Sequence, residues 1–287
     1  MLVPLAKWYL GLRPVQIPEY YENRQPLQRA QMEYDDECGS QGFRAFFEGR
    51  LQVGSKNILD FGCGYGGRTV RYKELGAKSV VGIEVLPEMV EEGRAFATHK
   101  HQSVSFLQAV GEAIPIADDS VDLICCYDVL EHVEDVDRCL RECYRLLRPK
   151  GTLFAVFPPF HHPTGGSHLH GYVSRSPFPN VLFSCRTLVT ASERLMQERG
   201  QKYRPPVQRP TDPLPSVNGT TLRQFHRLLR QIPFREKRCH HTALVSPQRR
   251  KWDQWHMRYY AAPFRFLTHV PALNEVFTDR IVAELTK

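Results

Sequence analysis

The sequence lacks any apolar run close to the ~20 residues of a transmembrane helix, and it has no Cys-x-x-Cys motif, internal repeat or low-complexity tract. These absences argue against a membrane-spanning protein, a disulfide-framed secreted domain and a repeat array. The N-terminal apolar stretch is short and contains Lys7. We therefore expect no signal peptide, and we predict a cytoplasmic protein.

The eight cysteines are scattered along the chain, and the net charge is +7. The cysteine spacing fits reduced thiols better than a zinc site or a disulfide frame. Much of the positive charge falls late in the chain, for example at Arg223, Arg227 and Arg230. A basic face is typical of proteins that bind nucleic acid, an anionic substrate or an acidic membrane surface, but solvated helix faces produce the same charge count.

From residue 57 onward, short apolar runs alternate with amphipathic segments. This alternation predicts an α/β fold with a Rossmann-like, seven-stranded, mostly parallel, doubly wound sheet. The predicted strands are one ending at Asp60, then 79–83, 104–107, 121–127, 152–157, 237–245 and 280–285. The predicted helices are 67–75, 87–97, 136–147, 186–199 and 221–230.

The regular alternation covers only part of the chain. Residues 1–50 are predicted to be an N-terminal extension that is irregular where prolines interrupt it and helical over 41–50. This extension either forms a lid over the site or packs on the core. Residues 51–287 are predicted to form the main domain, with insertions at about 159–217 and 247–276 that form a substrate cap.

A glycine-rich turn follows the first predicted strand and precedes a helix. It contains Gly62, Cys63 and Gly64 and begins two residues after Asp60. Glycines let the backbone take positive φ and approach a ligand closely, and this strand–turn–helix arrangement binds nucleotides. The glycine spacing also satisfies the dinucleotide fingerprint. However, the Asp60 carboxylate would repel a pyrophosphate and attract a cationic ligand such as S-adenosylmethionine.

A second acid, Glu84, ends the second predicted strand. Because neighbouring parallel strands end at the same crevice, this carboxylate is placed to accept both hydroxyls of a ribose. A strand end is also a common place for a solvated Glu, and that is the alternative interpretation.

The chain resembles class I S-adenosylmethionine-dependent methyltransferases of type 11, the branch that includes the ubiquinone-biosynthesis methyltransferases. The resemblance covers about residues 57–158, in order and at family spacing. It rests on the segments Leu-Asp-Phe-Gly-Cys-Gly-Tyr-Gly (59–66), Val-Gly-Ile-Glu (81–84), Gly-Glu-Ala-Ile-Pro (111–115), Ser-Val-Asp-Leu-Ile (120–124), Asp-Val-Leu-Glu-His-Val (128–133) and Leu-Leu-Arg-Pro-Lys-Gly (146–151).

The resemblance implies roles for individual residues. Asp60, Gly62 and Gly64 would hold the methionine part of S-adenosylmethionine, with Cys63 between the two glycines, and Glu84 would hold the ribose. The adenine would contact Val85, Gly111 and Glu112, while Tyr127 and Asp128 would face the methionine or the active site. One departure concerns Val110, because the family usually has an Asp there that accepts from the adenine amino group. Gln108 or Glu112 could replace that acceptor.

Histidines are concentrated after the fifth strand, at 161, 162, 168 and 170. Methyl transfer requires alignment, exclusion of water and a base where the acceptor must lose a proton. We predict His168 first and His162 second as a substrate contact or general base. A metal site is the weaker interpretation, because the spacing matches no standard pattern and no carboxylate lies in the segment. Structural histidines in a polar loop are the third possibility.

Glu131 and His132 follow the fourth strand, and His132 is a further catalytic candidate beside the alternative of helix capping and packing. The sequence thus predicts a methyltransferase that acts on a small or medium-sized organic acceptor, with S-adenosylhomocysteine as product. Oxygen is the first choice of methylated atom, ahead of nitrogen or carbon. We expect no nucleic-acid partner, although an RNA methyltransferase that uses the basic C-terminal third is one alternative. The other is a non-catalytic protein that binds the cofactor.

Overall fold

A computed structural model describes residues 2–15, 27–39, 42–163, 166, 168–201, 209, 212–214, 216–243, 270 and 273–287. Its strands are β1 (Asn57–Phe61), β2 (Ser79–Glu84), β3 (Ser105–Gln108), β4 (Val121–Tyr127), β5 (Leu147–Phe157), β6 (Glu236–Ala243) and β7 (Thr278–Thr286). Its helices are α1 (Leu2–Gly11), α2 (Gln28–Cys38), α3 (Gly67–Glu74), α4 (Pro87–His99), α5 (Val136–Leu146), α6 (Leu169–Tyr172), α7 (Pro179–Leu182), α8 (Cys185–Glu198), α9 (Leu222–Gln231) and α10 (Asn274–Phe277). A short 3₁₀ helix covers Phe43–Phe47.

The strands form one seven-stranded sheet in the order β3-β2-β1-β4-β5-β7-β6. The first five strands pair in parallel. β6 and β7 run antiparallel. Arg235, just before β6, hydrogen-bonds to Thr286 near the end of β7, and Thr242 near the end of β6 hydrogen-bonds to Arg280 near the start of β7. The prediction of a mostly parallel, doubly wound sheet is confirmed. The order reverses at β1, where β2 lies on one side and β4 on the other, and α/β folds bind their ligands at such a point.

β5 is longer than predicted. It begins at Leu147 instead of residue 152, so that Pro149 and Gly151 lie within the strand. The register against β4 shifts between Val121 and Leu123, and Lys150 has a φ of 70°. An irregularity of this kind lets Pro and Gly remain in a strand that would otherwise stop there.

The N-terminal helices differ from the prediction as well. α1 and α2 lie where an irregular extension was expected, and within the described residues 42–50 of the predicted 41–50 helix only Phe43–Phe47 is helical. Pro4 falls in the first turn of α1, where its missing N–H breaks no helical hydrogen bond. α2 contains few apolar residues, so its period is hard to recognise in the sequence.

The chain divides into two compact units. Unit 1 comprises Met1–Glu22, Pro158–Phe225 and His241–Ile281, and unit 2 comprises Asn23–Phe157, His226–His240 and Val282–Lys287. The predicted insertion at 159–217 therefore falls within unit 1. Most of the second predicted insertion, at 247–276, lies outside the described residues.

Each unit has its own apolar core. In unit 2 one cluster includes Phe43, Phe47 and Phe154, and a second includes Phe96 and Phe106. In unit 1 the small and branched residues of α1 and α8 pack together. Among the helices of the described residues, none combines the length and apolar content that crossing a bilayer requires.

Candidate active site

The glycine turn between β1 and α3 has the backbone that its sequence requires. Gly62, Gly64 and Gly66 all have positive φ, at 71°, 56° and 81°. A Cβ on Gly62 would overlap the Val129 side chain, so this position excludes side chains for both conformational and steric reasons. Cys63 between the glycines is buried, and burial raises the pKa of its thiol well above its usual value. The side of the turn that carries Gly62 and Cys63 is therefore closely packed against the protein interior.

Asp60 at the end of β1 is only 2% exposed. The Thr69 hydroxyl of α3 donates to its carboxylate at 2.7 Å. Burial raises the pKa of Asp60, and the nearby Arg68 guanidinium and the Thr69 hydrogen bond oppose that rise. Asp60 thus lies near the end of β1, two residues before the glycine turn, at the strand where the sheet order reverses. Its contact with a ligand stays a prediction.

Glu84 at the end of β2 contacts the same turn. One carboxylate oxygen accepts the Gly64 N–H at 3.2 Å, and the other accepts the Val85 N–H at 2.8 Å and the Leu86 N–H at 3.3 Å. These hydrogen bonds hold the side chain over the turn instead of letting it extend into solvent. An anion so oriented is suited to accept from two adjacent hydroxyl groups.

Two apolar side chains beside Glu84 are exposed. Val85 is 46% and Val110 is 49% exposed. The Ala109 N–H donates to the Glu84 carbonyl at 3.0 Å, and Gln108 Nε2 donates to the Val85 carbonyl at 3.2 Å. These hydrogen bonds join the segment that carries Val110 to the segment that carries Val85. Exposed apolar surface next to a polar cradle is typical of a site for a flat ring. From the sequence, Gln108 is a candidate substitute for the family's adenine acceptor. Its amide nitrogen is engaged by the hydrogen bond to the Val85 carbonyl, and a role of its amide oxygen as that acceptor stays a prediction.

Gly111 and Glu112 have structural partners. A Cβ on Gly111 would lie 2.6 Å from the Phe61 ring, so the glycine permits close packing there. The Glu112 carboxylate accepts the N–H groups of Glu134 and Asp135, at 2.9 and 3.0 Å, just before α5. The loop carrying Gly111 is therefore fixed by helix capping and packing. An adenine contact for these two residues stays a prediction.

Tyr127, the last residue of β4, packs against Phe43 and Phe46 with ring centroids 5.4 and 5.9 Å apart. The Arg68 guanidinium lies 5.1 Å from the centroid of the Tyr127 ring. The next residue, Asp128, has a φ of 55°. A left-handed residue directly after a strand redirects the chain, and Asp is among the few non-glycine residues that tolerate this conformation.

Glu33 of α2 is a site residue that the sequence analysis missed. Its two carboxylate oxygens accept the N–H groups of Tyr65 and Gly67 at 3.2 and 3.1 Å. It thereby caps the start of α3 from another helix. Burial raises the pKa of Glu33 to about 7, against the opposing effects of the Arg68 charge and the two backbone hydrogen bonds.

Arg68 is the second missed residue. A cation in the first turn of a helix opposes the helix dipole, so it needs compensating anions. Glu33, Asp60 and Glu37 supply them and raise the pKa of Arg68 further despite the effect of burial. Its Nε is buried and has no hydrogen-bond partner among the described residues. An unsatisfied guanidinium nitrogen beside the turn fits a ligand that carries a carboxylate.

Substitution of Glu33 by Gln tests this buried acid. Because folding raises the pKa of Glu33 from 4.5 to about 7, the native state binds more protons than the unfolded state between these values, and stability falls as pH rises through that window. The fall is on the order of 3 kcal/mol when only this group is counted. We expect wild type to lose more stability than Glu33→Gln between about pH 5 and about pH 7.5, measured by urea unfolding.

The exposed Glu88→Gln of α4 is the matched control and should keep the wild-type pH dependence. Identical pH profiles for wild type and Glu33→Gln would contradict a raised pKa for Glu33.

The three catalytic candidates lie in different units. His132 is in unit 2, where its Nε2 is 3.9 Å from a carboxylate oxygen of the buried Glu131. His162 and His168 are in unit 1. His162 is buried, and its Nε2 is 2.9 Å from Asp279 Oδ1. His168 is partly exposed, precedes α6 with a φ of 54°, and has its ring centroid 6.1 Å from that of His170.

His161 has a partner on α10. Its Nδ1 and its backbone N–H lie 2.8 and 3.2 Å from one carboxylate oxygen of Glu275. The other oxygen accepts the Leu222 N–H. Two of the four clustered histidines thus pair with acids from the end of the chain, an arrangement that sequence spacing does not reveal.

Comparison of the sequence with known proteins shows which family and which proteins this chain resembles. Residues 59–155 match the family described as "Methyltransferase domain". A ubiquinone biosynthesis O-methyltransferase of Xanthomonas oryzae pv. oryzae is 34% identical over 110 residues, which cover 38% of this chain and 46% of that protein. The uncharacterized methyltransferase YcgJ of Bacillus subtilis is 33% identical over 100 residues, 34% of this chain and 39% of the relative. The chain therefore spans less than half the length of these curated relatives.

Solved structures share the fold. An S-adenosylmethionine-dependent methyltransferase from Mesorhizobium loti superposes with a TM-score of 0.54 at 16% identity, covering 85% of this chain and 95% of that one. The phosphoethanolamine N-methyltransferase 2 of Haemonchus contortus, in complex with S-adenosyl-L-methionine, has a TM-score of 0.54 at 13% identity and covers 95% of this chain and 60% of its own. At such identities the likeness concerns the fold alone.

Proposed function

We propose that this chain transfers the methyl group of S-adenosylmethionine to a small or medium-sized organic acceptor, because residues 59–155 match a methyltransferase domain. The acceptor atom in this proposal is a hydroxyl oxygen. An RNA substrate and a purely cofactor-binding role are the alternatives that the experiments below would reveal.

The observation that carries the proposal is the pair of acids at adjoining strand ends. Asp60 of β1 and Glu84 at the end of the neighbouring β2 place two carboxylates close to the glycine turn. S-adenosylmethionine has an ammonium group and a sulfonium, which these anions attract, and a ribose diol that Glu84 can bind. Arg68 has an unsatisfied nitrogen for the ligand carboxylate, and Val85 and Val110 offer apolar surface to the adenine.

These residues fit S-adenosylmethionine better than a dinucleotide. A pyrophosphate in the turn would lie near the Asp60 carboxylate, whose negative charge is partly offset by the nearby Arg68. That cation is already shared with Glu33. Arg68 can therefore offset the single carboxylate of S-adenosylmethionine but not the two negative charges of a pyrophosphate, whereas a sulfonium would be stabilised by the acids. When bound, the cofactor supplies the electrophilic methyl group, and the protein supplies orientation and exclusion of water.

Oxygen as the methylated atom is supported by the relatives named O-methyltransferase. A hydroxyl acceptor must lose its proton, and an imidazole titrates in the right range to take it. His168 is our first choice, because it is partly exposed and lies in the segment that follows β5. His162, with its ring against Asp279, and His132, beside Glu131, are the other candidates.

The proposal includes a cytoplasmic location, and the state of the cysteines supports it. All eight cysteines are free thiols, and five of them are buried. Reduced cysteines are typical of proteins in a reducing compartment.

The test has two stages. Calorimetry with S-adenosylhomocysteine should show stoichiometric binding, and its absence would refute the proposal. Tritiated methyl transfer should then be measured with a panel of phenols and aliphatic hydroxy compounds, with bulk RNA as a parallel substrate. Label in RNA alone, with a steep salt dependence, would favour the alternative activity.

His168→Gln separates an enzyme from a binding protein. We expect kcat to fall about 100-fold, as for loss of a general base, with unchanged affinity for S-adenosylhomocysteine. His170→Gln on the neighbouring exposed position is the matched control and should keep turnover. Equal kcat for His168→Gln and wild type would remove His168 from the reaction.

A further inference from the structure

The N-terminal helix exposes an apolar stripe. Leu2, Leu5, Trp8 and Leu12 are 56%, 50%, 61% and 53% exposed. Their spacing of three, three and four residues places them on one face of α1 and the turn that follows it. A single exposed Leu is ordinary, but a contiguous stripe marks an interaction surface.

The opposite face of α1 already has a function. Ala6 and Leu10 are fully buried in the unit 1 core together with Leu188 and Leu195 of α8. Packing within unit 1 therefore uses one side of the helix only. The exposed stripe contributes nothing to that core, so its apolar character has another cause.

Two further exposed apolar side chains lie on α7, whose flanking residues contact α1. Val181 and Leu182 of α7 are 46% and 57% exposed. α7 is held near α1 because the Tyr9 and Phe183 rings lie 5.7 Å apart and the Tyr9 hydroxyl donates to the Pro177 carbonyl at 2.5 Å. We refer to Leu2, Leu5, Trp8, Leu12, Val181 and Leu182 as the apolar patch. Six of the eleven large apolar side chains exposed in the described part of the chain belong to it.

The two segments that carry the apolar patch contain basic residues and no acidic ones. Residues 2–15 and 168–192 contain no Asp or Glu, but they contain Lys7, Arg13, Arg175 and Arg186. Arg13 and Arg175 are exposed and adjacent, since the Arg175 N–H donates to the Arg13 carbonyl at 2.8 Å. Lys7 pairs with Glu198 of α8. Apolar side chains, a Trp and flanking arginines together match the surface of an anionic bilayer.

We propose that the apolar patch binds the surface of an anionic lipid bilayer, with α1 lying in the plane of the interface. The leucines and Trp8 would enter the boundary between head groups and acyl chains, and Arg13 and Arg175 would contact lipid phosphates. A second copy of this chain, docked through the same patch, fits less well, because residues 2–15 and 168–192 contain no acid that could pair with Arg13 and Arg175. The inference is independent of the proposed methyl transfer.

Co-sedimentation with vesicles tests the proposal. Wild type should bind vesicles of phosphatidylcholine that contain about one third phosphatidylglycerol, and bind vesicles of phosphatidylcholine alone at least about tenfold more weakly. Leu5→Glu/Trp8→Glu should weaken binding to the anionic vesicles at least about tenfold, since two apolar side chains are removed. Arg13→Glu/Arg175→Glu should abolish the preference for anionic lipid.

Leu273→Glu, at an exposed Leu outside the apolar patch, is the matched control and should bind like wild type. Circular dichroism and thermal unfolding of every variant exclude loss of fold as the cause. The proposal is overturned if wild type stays in the supernatant, or if Leu5→Glu/Trp8→Glu binds vesicles as wild type does. It is also overturned if sedimentation velocity shows a dimer that this double variant dissociates, because a second copy would then cover the patch.

Discussion

Replacing Glu84 by Ala should weaken the binding of S-adenosylhomocysteine at least about 100-fold. Hydrogen bonds to a charged group contribute about 1.5–3 kcal/mol each, and the ribose has two hydroxyls to donate. The side chain is already held over the glycine turn through the Gly64 and Val85 N–H groups, so little entropy is lost on binding. Glu84→Gln, which keeps one acceptor oxygen, should lose about tenfold.

The same variant could act indirectly by loosening the glycine turn, and a ligand analogue separates the two effects. The 2′-deoxy analogue of S-adenosylhomocysteine should bind wild type about tenfold more weakly than the parent compound. It should bind Glu84→Ala as the parent does, because the acceptor is then gone. Glu91→Ala, at an exposed acid of α4, is the matched control for charge. Affinity of Glu84→Ala within about threefold of wild type would contradict a ribose contact.

The sheet and the glycine turn could be predicted because their signals are local. β1, its acid Asp60 and the glycine turn up to Gly64 lie within a few residues of one another. In the same way, Glu84 is the last residue of β2. Parallel pairing then brings the strand ends to one edge whatever the loops do. The start of β5 could not be predicted, because a register shift against β4 keeps Pro149 and Gly151 inside the strand.

The residues that the sequence did not reveal reach the site from far along the chain. Glu33 accepts hydrogen bonds from Tyr65 and Gly67, which are 32 and 34 residues later in the chain. Neither the sequence of its helix nor its distance from the glycine turn predicts these contacts. Arg68 does carry a signal, since a cation at the start of a helix implies buried anions nearby. His162 and Asp279 are 117 residues apart, so their pairing also depends on tertiary structure.

Substitution of Gly67 by Ala should destabilise the protein by about 3 kcal/mol, because α2 would have to move away from α3. Gly67 has no positive φ, so an Ala there suffers no backbone strain of its own. However, its Cβ would overlap the Ala30 carbonyl and lie 2.6 Å from the Tyr34 nitrogen. Both obstacles are backbone atoms of α2, and no rotamer change can relieve them.

The displacement of α2 should also reach the site. Glu33 accepts the Gly67 N–H at 3.1 Å, so withdrawal of α2 leaves the first N–H groups of α3 without this acceptor. We therefore expect affinity for S-adenosylhomocysteine to fall at least about tenfold in the same variant, measured by calorimetry beside urea unfolding. Gly54→Ala is the matched control, because among the described residues no heavy atom lies within 4 Å of its added Cβ. If Gly67→Ala and Gly54→Ala unfold alike, α2 does not pack on the glycine turn in solution, and Glu33 cannot hold it.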